Sequence, residues 1–304
     1  MRVLILGGDG MLGHQLLSSL RTQHDVRVTL HRPLAAYREF ELFSSSNSID
    51  GVDAGETRQL AAVIASAAPQ AVINCVGIVK QRREAKSPIP SLEINALLPH
   101  RLLEICRTNG ARLVHLSTDC VFSGRKGGYL ESDEPDPVDL YGRTKLLGEI
   151  EDAPGLTLRT SIIGLELTRK AGLVEWFLAQ RGVVRGFRRA IYTGLTTLEM
   201  ARLLSRILTH HADLHGLWHV ASAPISKYDL LVALSTELGR TDVEIVADDT
   251  FECDRSLNAE RFFGATGYRP PAWRDMLTEL ADEIRRAGGT GVRSANIPES
   301  SKEE

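Results

Sequence analysis

Short apolar runs recur through the first half of the chain, at residues 3–6, 26–30, 71–76, 113–116 and 156–163. Between them, apolar positions repeat at the helical period near residues 11–21, 57–67, 92–108 and 141–150. Runs that are continuous rather than alternating belong to strands buried on both faces, so the pattern predicts an α/β fold, a doubly wound parallel sheet covered by helices on both sides. Residues 33–52 are irregular and are read as an edge strand or an extended loop. After Gly164 the pattern predicts a helix through Trp176 and Phe177, a strand near 183–192, a helix over 197–209 and a strand over 216–220. Ligands of open parallel sheets bind beyond the carboxyl ends of the strands, where these later segments can close over the crevice. The expected division is a parallel-sheet domain over 1–163, a smaller C-terminal substrate-binding region over 164–287 with interleaving left open, and a disordered polar tail over 288–304.

The first run leads into Gly7-Gly8-Asp9-Gly10-Met11-Leu12-Gly13, and helical periodicity continues through Leu16, Leu17 and Leu20. Strand, glycine turn and helix in that order suit a dinucleotide: glycines let the backbone approach a pyrophosphate, and the helix start offers free N–H groups. This makes the fold Rossmann-type and places Gly7, Gly10, Met11, Leu12 and Gly13 at an NAD(P) cofactor. The spacing is G-x-x-G-x-x-G rather than G-x-G-x-x-G, and a glycine turn without a ligand is the competing reading. The second strand ends in Thr29-Leu30-His31-Arg32, with no carboxylate to hold ribose hydroxyls. Arg32 suits a 2′-phosphate, which favours NADPH with NADH as the alternative; a solvated loop cation is the plainer reading. Asp53 is placed near the adenine.

Tyr141 and Lys145 are four residues apart and share one helical face. An isolated phenol titrates near pH ~10, and a nearby ammonium that favours the phenolate would make it a proton donor and acceptor at neutral pH. Tyr-x-x-x-Lys alone is a weak signal, since both residues are common on amphipathic helices. Here it follows Ser117-Thr118-Asp119 at the end of an apolar run.

Together, Gly7/Gly10/Gly13, Ser117-Thr118-Asp119 and Tyr141-x-x-x-Lys145 resemble the extended short-chain dehydrogenase/reductase superfamily. Within it, Gly10-Met11-Leu12-Gly13, Asn74-Cys75-Val76-Gly77, Asn95-Ala96, Ser117 through Gly124, Tyr141 through Glu149 and Leu158-Arg159-Thr160-Ser161 are similar to the dTDP-4-dehydrorhamnose reductase family. The resemblance implies NAD(P)H-dependent reduction of the 4-keto group of a nucleotide-linked 6-deoxy sugar, in deoxysugar and cell-surface polysaccharide biosynthesis. It implies that Tyr141 protonates the developing alkoxide, Lys145 holds the ribose hydroxyls and favours the phenolate, and Thr118 hydrogen-bonds the substrate carbonyl, a hydroxyl that caps its own strand end being the alternative for Thr118. Asn95 would position the active-site backbone. Arg255, in Asp254-Arg255-Ser256-Leu257-Asn258, would lie near the nucleotide diphosphate, an ion pair with Asp254 or Glu252 being the alternative. Lys80, with Gln81, Arg82 and Arg83, would approach the substrate pyrophosphate or form a solvated loop. Cys120 and Ile162 stand where the family carries aromatics facing the substrate, which implies a pocket for a different or more substituted sugar. A dehydratase is disfavoured because Asp119 is followed by Cys120 rather than an acid. An epimerase that regenerates its cofactor, or a non-catalytic NADP-binding regulatory subunit, are the other readings.

The 304 residues are 43% hydrophobic and 25% charged with a net charge of -3, an ordinary globular composition that excludes a general attraction to nucleic acid or anionic membranes. The amino terminus reads as a strand rather than a leader, and no apolar segment is long enough to span a bilayer, so a cytoplasmic protein is expected. Cys75, Cys106, Cys120 and Cys253 are widely spaced and read as reduced thiols. Of the nine histidines only His210-His211 are adjacent, so no metal site is expected. A homodimer through the helices at 92–108 and 141–150 is where an interface is expected.

Overall fold

The computed structural model describes residues 1–80 and 86–288. Gln81, Arg82 and Arg83, and the tail beyond Gly288, lie outside the described residues. The first half runs β1 (Arg2–Leu6), α1 (Met11–Leu20), β2 (Asp25–Thr29), β3 (Ser48–Ile49), α2 (Thr57–Ala67), β4 (Ala71–Asn74), α3 (Pro88–Ser91), a π-helical stretch Leu92–Leu97, α4 (Leu98–Thr108), β5 (Arg112–Leu116), α5 (Leu140–Leu147) and β6 (Gly155–Arg159). The second half runs β7 (Ile162–Ile163), α6 (Leu173–Ala179), β8 (Gly182–Tyr192), β9 (Leu195–Thr196), α7 (Thr197–His210), β10 (Gly216–His219), β11 (Ile225–Ser226), α8 (Lys227–Leu238), β12 (Val243–Asp254), α9 (Glu260–Thr266) and α10 (Trp273–Arg286).

Seven strands form the central sheet in the order β10-β6-β5-β4-β1-β2-β3, every pair parallel. Successive residues of β1 serve opposite faces. Val3 and Ile5 join Leu16, Leu17, Leu203 and Leu204 of α1 and α7 in one core, while Leu4 and Leu6 join Leu60, Ile64, Leu102 and Cys106 of α2 and α4 in the other. All of β4 and β6 is buried, as a two-sided cover requires. Each such leucine contributes about 2 kcal/mol of hydrophobic stabilisation. The strand order reverses at β1 and β4, so the crevice beyond their carboxyl ends is the expected ligand position in this Rossmann-type fold.

Two details differ from the sequence pattern. The apolar run at 156–163 is two strands, because the chain turns at Thr160 and Ser161 and β7 leaves the main sheet to pair with β9. The irregular stretch at 33–52 supplies a 3-10 turn, Leu34–Tyr37, and then the edge strand β3. The later chain crosses the carboxyl side of the sheet, returns to add β10 beside β6, and builds a second sheet in which β8 pairs parallel with β12 and antiparallel with β11. β12 carries no clean alternation because its register shifts between Asp248 and Glu252. No helix among the described residues is long and apolar enough to cross a membrane.

Candidate active site

The glycine turn is held from below by the end of β2. Gly7 has φ +81°, and its N–H donates to Thr29 Oγ1 at 3.1 Å while Gly8 N–H donates to Thr29 O at 2.8 Å. A Cβ at Gly13 would lie 2.1 Å from Gly7 O and 2.9 Å from Gly8 Cα, so the turn closes only on a hydrogen. Gly10 occupies the N-cap of α1 with no side-chain capping bond, and the first intrahelical bond runs from His14 N–H to Gly10 O. The N–H groups of Met11, Leu12 and Gly13 precede that bond and are the free donors of the helix start. The Leu12 side chain itself is buried in the core. Met11 meets the loop after β7, its Cε lying 2.8 Å from where Gly172 would carry a Cβ.

Asp9, within the turn, accepts from the Tyr37 hydroxyl at 3.0 Å, a tie that the sequence pattern did not signal because Tyr37 lies in the irregular stretch. Burial, then the Asp9 charge, raises the Tyr37 pKa. Arg32 is exposed just past β2, and its backbone N–H donates at 3.4 Å to the Tyr37 hydroxyl that in turn donates to Asp9. Asp53 lies in the turn before α2, exposed, with its carboxylate accepting from Gly55 N–H at 2.9 Å. The glycine cradle and the cation past β2 fit a dinucleotide that carries a phosphate on its ribose.

The second cluster forms where α5 meets the end of β5. Asp139 caps α5 by accepting from Gly142 N–H at 2.7 Å. A Cβ at Gly142 would fall 2.2 Å from Cys120 O, so the absence of a side chain lets α5 lie against the Asp119–Val121 turn. That contact sets the half-buried Tyr141 beside Thr118, whose hydroxyl accepts from Cys120 N–H at 3.1 Å and donates to Asp119 Oδ1 at 3.1 Å. Burial raises the Tyr141 pKa, Cys120 once it ionises and the charges of Asp119 and Asp139 raise it further, and the Thr118 hydroxyl opposes them. Burial thus favours the protonated phenol, the form that can act as an acid. Lys145 is buried, donates to Leu116 O at 2.6 Å and lies 3.3 Å from His115 Nε2; burial lowers its pKa to about 8 against the opposing charge of Glu149.

Side chains behind this cluster hold its backbone. Asn95, in the π-helical stretch, accepts from Ile78 N–H and donates to Ile78 O, both at 2.9 Å, and reaches Thr144 Oγ1 at 3.3 Å. A π-helical stretch at such a place is a frequent companion of functional sites. Asn74 reaches His115 at 3.2 Å. Glu149 and Arg159 form a buried ion pair that also receives the Ser117 hydroxyl.

Arg255 enters from the end of β12. It donates to Phe122 O at 2.9 Å and to Cys120 Sγ at 3.6 Å, while Glu252 pairs with Arg189 and Asp254 accepts from Ser256 N–H, so the ion pair with either acid does not form. Asp119 is buried and its pKa is raised by burial, with Arg255 opposing. The Cys120 thiol is pushed up to about 12 by burial and is no nucleophile. Lys227, first residue of α8, is half-buried and interacts electrostatically with Asp119, Cys120 and Arg255; its only sequence signal was the Ser226 cap before it. Lys80 pairs with Asp139 at 3.2 Å, beside the start of α5.

Residues 1–173, more than half of the chain, match the family described as the RmlD substrate binding domain. A dTDP-4-keto-6-deoxy-D-glucose reductase of Streptomyces niveus is 32% identical over 149 residues, 49% of this chain and 46% of the relative, so the chain spans about half that protein's length. A probable low-salt glycan biosynthesis reductase of Haloferax volcanii is 26% identical over 271 residues, 86% of this chain and 85% of the relative. The crystal structure of a dTDP-4-dehydrorhamnose reductase from Bacillus anthracis in complex with NADP has the same fold, with a TM-score of 0.75 at 21% identity over 93% of this chain and 99% of that one.

Proposed function

Because the chain belongs to the RmlD substrate binding domain family, we propose that it reduces the 4-keto group of a nucleotide-linked 6-deoxy sugar at the expense of NADPH. The observation that carries the reading is the convergence of Thr118 and Tyr141 where α5 meets β5, on the same carboxyl edge of the sheet as the glycine cradle. Gly7, Gly10 and Gly13, with the N–H groups of Met11 and Leu12, hold the pyrophosphate of the cofactor, Arg32 its 2′-phosphate and Asp53 the adenine side. Bound there, a nicotinamide supplies the hydride.

The substrate carbonyl accepts a hydrogen bond from Thr118 when that hydroxyl turns its one proton away from Asp119 Oδ1, and Tyr141, kept protonated by burial, gives its proton to the oxygen as the carbonyl carbon gains hydride. The phenolate left behind is stabilised by the Lys145 ammonium, which also binds the ribose hydroxyls. Arg255, Lys227 and Lys80 present cations to the diphosphate of the substrate, and Cys120 replaces an aromatic surface by a small apolar one. This division of labour places the cofactor contacts in 1–163, which also lends Thr118, Cys120 and Lys80 to the substrate, and the remaining substrate contacts in 164–287, from which α7 and β10 return to the main sheet, in a cytoplasmic enzyme. Ile89, Leu92, Leu97 and Leu147 are exposed on the helices at 88–97 and α5, and a homodimer would cover them. The reading is tested by following NADPH and NADH oxidation with dTDP-, GDP- and UDP-linked 4-keto-6-deoxy sugars. Oxidation with at least one sugar and a preference for NADPH is expected; cofactor binding without oxidation by any of them would defeat it.

A further inference from the structure

We propose that His115 is a positioning residue for Lys145: held in a single tautomer by Asn74, it offers Nε2–H to the unprotonated Nζ and thereby sets the pH at which Lys145 changes charge. The inference rests on the proposed reductase only in giving Lys145 a catalytic purpose. Three elements meet at this point: Asn74 ends β4, His115 lies within β5, and Lys145 belongs to α5.

A backbone N–H can only donate, so the Asn74 atom 3.1 Å from Val76 N is Oδ1. The amide nitrogen therefore faces His115 Nδ1, 3.2 Å away, and Nδ1 accepts. A neutral imidazole has one proton, which this arrangement leaves on Nε2. Nε2 lies 3.3 Å from Lys145 Nζ. An ammonium has three donors and no acceptor, so it would meet Nε2–H donor to donor; an amine has one lone pair, takes that hydrogen, and still donates to Leu116 O at 2.6 Å. The ring therefore favours the amine.

The surrounding groups agree with this assignment. Burial holds the His115 pKa well below its ordinary value, with the charges of Lys145 and of His100 on α4 acting in the same direction. Around Lys145, Glu149 favours the ammonium, whereas the Cys75 thiol is pushed up to about 12 by burial and is uncharged at neutral pH. Loss of the proton by Lys145 gains a hydrogen bond from His115, and regaining it breaks that bond.

The test is 15N NMR of histidine-labelled full-length chain, with Lys145→Met alongside, over a pH range that brackets the Lys145 value of about 8. The expected result is a neutral His115 with its proton on Nε2 and a resonance shift that follows one titration near 8, absent in Lys145→Met. A proton on Nδ1, or a His115 signal indifferent to Lys145, would overturn the proposal. In a second measurement His115→Gln supplies a carbonyl oxygen that accepts from the ammonium, so the alkaline fall of kcat/KM should move up by roughly 1 pH unit, the size of one charged hydrogen bond. A uniform loss at all pH values with that limb unmoved would also overturn it. The NMR result stands apart from turnover, so a protein that reduces no sugar would still decide the role of His115.

Discussion

Replacing Glu149 by Gln should destabilise the chain by about 3–5 kcal/mol, the loss expected when one member of a buried ion pair is removed and the other remains. The side chains of Arg159 and Glu149 are 5% and 6% exposed. The guanidinium meets the carboxylate through Nε at 2.8 Å and Nη2 at 2.7 Å, and the Ser117 hydroxyl donates to it at 2.6 Å. Without the carboxylate, Arg159 keeps, among the described residues, His219 Nε2 at 3.3 Å and the face of Phe122 at 5.2 Å. Neither neighbour carries a negative charge, so a buried cation is left uncompensated. For a chain of this size the loss corresponds to roughly 5–8 °C in Tm. Glu149→Leu combined with Arg159→Met removes both charges and should recover at least half of the single-variant loss, as paired apolar replacements do. Urea midpoints for Glu149→Leu, Arg159→Met and the double variant give the coupling, expected above ~2 kcal/mol. Single losses below about 1 kcal/mol with no coupling, the behaviour of an exposed pair, would refute the argument. Because Glu149 also favours the Lys145 ammonium, the variant should titrate Lys145 at lower pH.

Gly13→Ala should reduce cofactor affinity at least tenfold, read by fluorescence titration, because its Cβ would strike Gly7 O at 2.1 Å and force the cradle open; unchanged affinity would show that the turn does not hold the pyrophosphate. Tyr141→Phe should lower kcat by at least ~100-fold, the contribution of a positioned acid, with cofactor Kd nearly unchanged; undiminished turnover removes Tyr141 from its role. Burial takes Lys145 from an ordinary 10.5 to about 8. Between those values the unfolded chain binds a proton that the folded chain does not, so folding stability rises with pH across that window, while below about 8 the full burden of a buried charge is present. The stability of the wild type relative to Lys145→Met should therefore climb from pH 8 to 10.5 in urea titrations, and a flat difference would contradict the lowered pKa.

The glycine turn, the parallel strands and the Tyr141 helix were legible because each is local: a run, a spacing or a cap within about a dozen residues. The helix at 57–67 falls where its periodicity places it. The state of Tyr141 was not legible, because its pKa depends on burial and on Cys120, Thr118 and Asp119, which the fold brings to it from a distant segment. Lys227 and Arg255 reach Asp119 from more than a hundred residues away, and nothing near Lys227 in sequence marks it as other than a helix-start lysine. β12 was hidden for a related reason: a half-exposed strand with a register shift has neither the continuous apolar run nor the alternation by which strands are read.

The most direct test of the proposed reduction is to supply NADPH carrying deuterium at the transferable position together with a nucleotide-linked 4-keto-6-deoxy sugar, and to read the sugar by mass spectrometry and NMR. One deuterium bound at C4 for each NADPH oxidised, abolished in Tyr141→Phe, is the predicted result. A sugar converted without net loss of NADPH would identify an epimerase, and tight cofactor binding with no conversion would identify a regulatory subunit; either would contradict the reductase.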